Sequence, residues 1–197
     1  MQFRAIIIAS RYTYARWLRL LVSQAVTDMA RSTARPPRPV LFLLDEFASL
    51  GRLEPIERAM GLMAGYGLQL WPILQDMHQL KANYGDKAGT FMSNAGVIQA
   101  FGVNDHATAD MLSRTIGDTT IEYQTVGSSG PSSIFSDGSY SESTSAHVSA
   151  RRLATPDEIM RMRPDQLLLL RQGEHPLPVE KIRYYDQREF AGLFDPA

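Results

Sequence analysis

Two carboxylates and one carboxamide have the types and spacing to act on a phosphate. Asp45 and Glu46 are adjacent and follow the apolar run Val40-Leu41-Phe42-Leu43-Leu44. Gln75 comes thirty positions later, closing a second run that begins at Leu68. Acids against such a run are costly unless a cation or a hydrogen-bond network compensates them. At the carboxyl end of a buried strand they sit where open α/β sheets bind ligands. One acid there can help hold Mg²⁺ and the next can prime an attacking water. A carboxamide both donates and accepts, so Gln75 could bond a γ-phosphate and water together. The plain alternative is a strand ending in a solvated acidic turn, with Gln75 an ordinary surface residue.

These groups need a sheet to position them. An uninterrupted apolar run of five or six residues suits a strand buried on both faces, as in a parallel sheet. Phe3 to Ala9 is β-branched and short, and reads as another such strand. Tyr14, Leu18, Leu21, Ala25 and Met29 recur at three and four, which predicts an amphipathic helix over 12–33 with those residues inward. Pro36, Pro37 and Pro39 end it. The β-helix-β order predicts parallel neighbours. A helix follows from Pro55 to Ala64, closed by Gly65-Tyr66-Gly67, then the strand 68–75. Helices are expected over 77–84, 87–94 and 105–116, the last with Asp105 as N-cap. Gly96 to Phe101 reads as a further parallel-type strand, whose polar end is Gly102-Val103-Asn104.

The character changes near residue 119. Thr119 to Val126 reads as a strand, 127–145 as a mobile Ser/Gly-rich loop and His147 to Leu153 as a returning strand. Thr155-Pro156-Asp157-Glu158 has the form of a helix start. Gln166 to Arg171 and Val179 to Tyr184 read as closing strands, and Phe190 to Phe194 as a turn.

Of the 197 residues 44% are hydrophobic and the formal net charge is −1, a globular composition that excludes a globally basic nucleic-acid binder. There is no cysteine, so no disulfide or thiolate site, which fits a reducing compartment. No apolar run approaches the roughly 20 residues that span a bilayer. The four histidines lack ligand spacing, so no metal site is expected from them.

One element is missing. No G-x-x-x-x-G-K-[ST] occurs in the sequence, and no glycine precedes a lysine. That loop and its lysine are what cradle nucleotide phosphates. Either the loop belongs to a preceding portion, which a buried strand starting near residue 1 suggests, or the acids serve something else.

The ordered series Leu43-Leu44-Asp45-Glu46-Phe47-Ala48-Ser49-Leu50-Gly51, Gly65-Tyr66-Gly67-Leu68-Gln69, Ile73-Leu74-Gln75, Gln79-Leu80, Tyr84-Gly85, Asn94, Asp105, Thr108-Ala109 and Leu153-Ala154-Thr155-Pro156-Asp157-Glu158-Ile159 covers nearly the whole chain. It resembles the carboxy-terminal part of the type IV coupling proteins, the TraG/TraD-type ATPases of conjugation and type IV secretion. The resemblance implies an α/β fold, a partial RecA-like P-loop NTPase domain. It implies a Walker B-containing part over 1–118 and a small β-rich appendage over 119–197. It further implies a homo-hexameric motor at the cytoplasmic face of the inner membrane, with ATP and Mg²⁺ as cofactors. Its partners would be single-stranded DNA, relaxase and relaxosome proteins, and the secretion channel.

Carried over by position, Asp45 would be the Mg²⁺-associated Walker B acid, Glu46 the catalytic base and Gln75 the phosphate-sensing glutamine. Lys87 falls where some relatives carry a lysine near the nucleotide. Some relatives place an arginine after the acids to act on a neighbour's nucleotide. Here Met63 and Ala64 occupy that stretch, and Arg58 nearby reads as a solvated helix residue. Lys81, Asn83, Tyr84 and Lys87 form a basic–aromatic cluster that could face a DNA channel or be a plain surface turn. Two other classes stay open: a truncated non-catalytic interaction module of the same family, and a metal-dependent hydrolase using Asp45 and Glu46 directly.

Overall fold

The structure is a computed structural model that describes residues 4–9, 14–32, 36–62, 65, 67–129 and 141–194. Met63 and Ala64 lie outside them.

Three parallel strands form the first sheet, in the order β1-β2-β3. These are β1 (Arg4–Ala9), β2 (Val40–Asp45) and β3 (Leu68–Pro72). β2 is central, pairing Ala9 with Asp45 on one side and Leu44 with Pro72 on the other. The helix α1 (Ala15–Arg31) makes the crossover from β1 to β2. It ends where Ser32 turns extended, just before the prolines. On β2, Phe42 and Leu44 are fully buried, while Leu41 and Leu43 are half-buried.

The stripe of α1 that faces inward differs from the expected one. Val22 and Val26 are buried, with Leu18, Ala25 and Met29 packed beside them. Tyr14 and Leu21 are 61% and 62% exposed, next to an exposed Trp17 and Leu20. The helix carries apolar residues on more than one side, and both stripes satisfy a period of 3.6. Periodicity therefore located the helix but did not choose its buried face.

The core of this first lobe continues through a 3-10 turn (Phe47–Leu50), α2 (Glu54–Leu62), α3 (Met77–Tyr84) and α4 (Ala88–Ser93). Phe47, Tyr84 and Phe91 form an aromatic cluster. Phe47 stacks on Tyr84 at 5.8 Å between centroids, and Tyr84 meets Phe91 at 4.6 Å. Aromatic pairs in this range stabilise beyond the area they bury. Burial pushes the Tyr84 phenol upward, so its hydroxyl stays neutral. That hydroxyl accepts the Leu53 N–H at 3.1 Å, so the one polar atom of the cluster is satisfied.

The second lobe is antiparallel. Its sheet has the order β4-β7-β8, from β4 (Val97–Ala100), β7 (Gln166–Arg171) and β8 (Leu177–Glu180). α5 (His106–Ile116) and α6 (Pro156–Met160) pack on it through Ala109, Leu112 and Ile159 against Leu168 and Leu170. The strand at 97–100, expected as a further parallel-type strand, is thus not part of the parallel sheet β1-β2-β3. It pairs antiparallel with β7, Val97 opposite Arg171 and Ala100 opposite Leu168. A four-residue apolar strand carries no signal of direction, and its partner lies some seventy residues away.

The stretch 127–145 also differs from the loop expected. β5 (Asp118–Ser129) and β6 (Ser141–Arg152) pair in unbroken antiparallel register, from Asp118 opposite Arg152 to Ser129 opposite Ser141. Strand pairing therefore takes in both ends of the Ser/Gly-rich segment; its middle, 130–140, lies outside the described residues. Cross-strand pairing overrode a composition that reads as coil. The last strand is Leu177–Glu180 rather than 179–184, and the terminal turn is Arg188–Phe190.

Where side chains dictate helix ends locally, expectation and structure agree. Thr155 caps α6 in a full capping box. Its hydroxyl accepts the Glu158 N–H at 3.3 Å, and the Glu158 carboxylate accepts the Thr155 N–H at 2.8 Å. Ser113, fully buried on α5, donates to the Ala154 carbonyl at 2.6 Å and ties α5 to this helix start.

Two tests follow from this packing. Phe47→Ala removes the centre of the aromatic cluster and is expected to cost about 3–5 kcal/mol in denaturant unfolding, with Phe47→Leu milder. The second concerns Glu158. The Thr155 N–H, the Thr155 hydroxyl and Arg151 hold its carboxyl below the ordinary value of 4.5. The ionised form is therefore favoured by folding, a contribution complete above pH 4.5 and lost as pH falls through the lowered value. Glu158→Gln keeps a capping oxygen but does not titrate. The wild type's advantage in Tm over this variant should be present at neutral pH and shrink on acidification; an unchanged gap would remove Glu158 as its source.

Candidate functional site

The site is built at the carboxyl edge of β2 and β3. Asp45 ends β2, half-buried, and Phe47 two residues on is fully buried. Glu46, between them, is exposed. At Glu46 the backbone leaves the extended conformation of β2 and takes left-handed dihedrals, φ 49° and ψ 43°. It is the one non-glycine residue with positive φ among those described. Glutamate in this region costs about 1–3 kcal/mol and persists only where its surroundings over-determine it.

The surroundings here are explicit. The Phe47 ring is held in the aromatic cluster, and its N–H donates to the Ile73 carbonyl at 3.0 Å. The Ile73 N–H in turn donates to the Leu44 carbonyl at 3.0 Å. Asp45 Oδ1 accepts the Glu46 N–H at 3.1 Å. Asn83 of α3 donates to the Ala48 carbonyl at 2.9 Å. From the opposite side the Arg19 guanidinium of α1 donates to the Leu50 carbonyl, and to the Arg52 carbonyl at 3.1 Å. Gly51 has φ 62° and ψ −164°, a backbone conformation that strains any residue with a Cβ, so the turn favours glycine. Ser49 Oγ is buried with no partner among the described residues.

Gln75 stands on the adjacent strand's exit. β3 ends at Pro72, so Gln75 lies in the loop before α3 rather than at the last strand position. The Ile73 bonds nevertheless keep that loop in pairing contact with β2. Gln75 is exposed, and its Oε1 accepts from Gln79 Nε2 at 3.2 Å. Asp76 caps α3 by accepting the Gln79 N–H at 2.8 Å.

The structure brings Asp45, Glu46 and Gln75 to one edge and engages Lys87 elsewhere. The Lys87 ammonium pairs with Glu57 of α2, which also accepts from Arg52 at 3.3 Å. The Glu57 side chain is 13% exposed, and its carboxyl is held below the usual range, chiefly by the hydrogen bond from Lys87. Lys87 thus fastens the turn before α4 to α2. Of the basic–aromatic cluster at 81–87, Tyr84 is buried and Asn83 is spent on Ala48, while Lys81 and the Glu57-paired Lys87 are exposed. Arg58 is exposed on α2.

Sequence reasoning quoted Phe47 and Thr108 within the ordered series but gave neither a role, and it did not single out Arg19. Phe47 could have been suspected as a lone aromatic straight after two acids. Nothing local marks Arg19, whose acceptors lie more than thirty residues away. Thr108, in the first turn of α5, accepts the Met77 N–H at 3.1 Å, a contact 31 residues distant that no local pattern announces.

The carboxylate edge suits Mg²⁺, a hard cation held by one or two carboxylates and several waters. No group of three or more His, Asp or Glu side chains able to hold a metal occurs among the described residues. Such a cluster is what a hydrolase working from protein-held metal alone would need. The same edge lacks a phosphate cradle, since the sequence has no glycine-rich loop with its lysine.

Comparison with known proteins accords with this geometry. The family model for type IV secretory system conjugative DNA transfer matches residues 6–193. Protein VirD4 of Rhizobium rhizogenes is 32% identical over 182 residues, 90% of this chain and 26% of that protein. The conjugal transfer protein TraG of Rhizobium radiobacter is 39% identical over 140 residues, 70% of this chain and 21% of that protein. The chain thus spans about a quarter of the length of these relatives. Among solved structures, the unbound bacterial conjugative coupling protein TrwBdeltaN70 superposes with a TM-score of 0.67 at 21% identity, covering 87% of this chain and 39% of that one. TrwB has also been solved with ADP and Mg²⁺. The likeness gives the fold, α/β of the RecA-like kind. On the breadth of the family match and the identity to VirD4 and TraG, the chain belongs to the type IV secretory system conjugative DNA transfer family.

Proposed function

We propose that this chain is the acid-and-sensor half of a conjugative coupling ATPase. The observation that carries the reading is one edge: Asp45 and Glu46 leave β2 beside the exit of β3 that bears Gln75, with the two exits pinned by the Ile73 bonds. In this reading Asp45, half-buried, contributes to holding Mg²⁺, directly or through water. Glu46, exposed by its left-handed turn, accepts a proton from the attacking water. Gln75 positions that water and senses the terminal phosphate through its carboxamide. Bound Mg²⁺–ATP would supply the activated phosphoryl group. TrwB, solved with ADP and Mg²⁺, supports nucleotide and metal at a fold of this kind.

The phosphate-cradling half lies outside the 197 residues, so the isolated chain hydrolyses no ATP. Joined to that half, it drives single-stranded DNA through a homo-hexameric ring at the cytoplasmic face of the inner membrane. There it receives relaxase-bound DNA and passes it to the secretion channel. The lengths of VirD4 and TraG, about four and five times their matched stretches, support this division of the site. Lys87 would have to leave Glu57 to reach a nucleotide, so we assign it to holding α2. The reading of 1–118 as the Walker B part and 119–197 as an appendage is retained for function, although the second hydrophobic core joins 98–116 to 154–170.

The experiment is a paired assay. The 197-residue chain should show no ATP turnover above background. A chain that also carries the phosphate-cradling loop should turn over ATP, and Glu46→Gln in it should lower kcat about a hundredfold or more while nucleotide binding survives. Turnover by the 197 residues, abolished by Glu46→Gln, would sink the half-site reading. Unchanged kcat in the longer variant would sink the role given to Glu46, and favour the non-catalytic module.

A further inference from the structure

We infer that Thr108 is a positioning residue for Gln75: it ties the loop that carries the carboxamide to the first turn of α5, and so to the second lobe. The inference rests on the reading of Gln75 as the phosphate-sensing group.

The argument begins with helix ends. The first N–H groups of a helix have no partner inside it and need acceptors from elsewhere. In α3 the Gln79 N–H is taken by Asp76, the helix's own cap. The Met77 N–H, two residues closer to Gln75, is taken by Thr108 Oγ1 at 3.1 Å, from a different helix. Thr108 is itself in the first turn of α5, where its N–H donates to Asp105 Oδ1 at 2.7 Å. His78, the next residue of α3, returns to the same carboxylate, Nε2 standing 3.6 Å from Oδ1. Two helix starts therefore share one set of acceptors. Asp105 serves α5, and Thr108 serves α3.

The Asp105 carboxyl lies below its ordinary value although burial alone would raise it. The Thr108 N–H and hydroxyl, followed by the His78 charge, outweigh that burial. Thr108 thus meets the carboxylate through its N–H and the Met77 amide through its hydroxyl oxygen.

The consequence reaches Gln75 in two steps. Gln75 precedes Asp76 and Met77 directly, and its carboxamide oxygen is held by Gln79 one turn into α3. The Gln75 N–H points back to Gln79 Oε1 at 3.4 Å. The direction of α3's first turn therefore sets where the carboxamide sits against Asp45 and Glu46. Pinned by Ile73 on the β2 side and by Thr108 on the α5 side, the loop 73–77 is fixed at both ends. A movement of α5, and of the sheet it packs on, is transmitted to the sensor.

The test uses the 197-residue chain and needs no nucleotide. Thr108→Val keeps the shape and deletes the acceptor; Thr108→Ser keeps the acceptor. Thr115→Val is the control, since that hydroxyl only returns to the Met111 carbonyl of its own helix. In Thr108→Val, amide hydrogen exchange over residues 76–79 should rise about fivefold. The Gln75 and Gln79 side-chain amide resonances should shift, and Thr108→Ser and Thr115→Val should match the wild type. Unchanged exchange in Thr108→Val overturns the tie. Faster exchange with unmoved Gln75 resonances overturns the positioning of Gln75. Neither outcome touches the hydrolytic reading, which is tested separately by Gln75→Ala turnover in the longer chain. If that variant keeps full kcat, the reading of Gln75 fails even where the tie holds.

Discussion

The burial of Phe47 immediately after an exposed Glu46 is the constraint on which the site depends. The ring packs in an aromatic cluster with Tyr84 of α3 and Phe91 of α4, and its own N–H is held by the Ile73 carbonyl. The backbone turns left-handed at a glutamate, which ordinary loops avoid. Were the acid pair a solvated turn and nothing more, residue 46 would be expected to be Gly or Asn, both at ease with positive φ. A glutamate held there by packing and main-chain bonds is a local cost that the core offsets. The outlier is an observation, and function is the hypothesis it supports.

The rest of the first lobe can be understood as support for that turn. Arg19 from α1 and Asn83 from α3 approach the 3-10 segment from two sides and take its carbonyls. The Tyr84 hydroxyl takes the Leu53 N–H three residues beyond the same segment. Glu57 gathers Arg52 and Lys87, joining α2 to the turn before α4. Being largely sheltered on the carboxylate side, this last pair is less screened than the surface pairs of the second lobe, such as Arg114 with Asp110. Charge here serves placement, and the two acids at the sheet edge receive none of it from Lys87.

What could be read in the sequence follows a physical line. Interactions closed within four residues were legible: Asp105 and Thr155 as caps, and β2 as an apolar strand ending in acids. The order of acid pair and glutamine along the chain was legible for the same reason. What depended on distant partners was not. The inward face of α1 is chosen by β2 and α2, the direction of β4 by β7, and the fate of Lys87 by Glu57 thirty residues earlier. The Ser/Gly-rich stretch misled because composition measures the cost of ordering a chain. It cannot register that twelve residues on each side find one another in register.

This partition bears on how the site is divided between the lobes. The acids are positioned wholly by the first lobe, through Phe47, Ile73 and Arg19. The glutamine is positioned by both, because α3 begins between β3 and Thr108 of α5. A rigid-body displacement of the second lobe would leave Asp45 and Glu46 in place and move Gln75 relative to them. In the proposed reading, the groups assigned to metal and proton would then be insensitive to what the second lobe touches, while Gln75, assigned to the phosphate, would report on it. If the proposed hydrolytic role holds, that asymmetry would let a partner bound to the second lobe gate hydrolysis without disturbing the strained turn at Glu46.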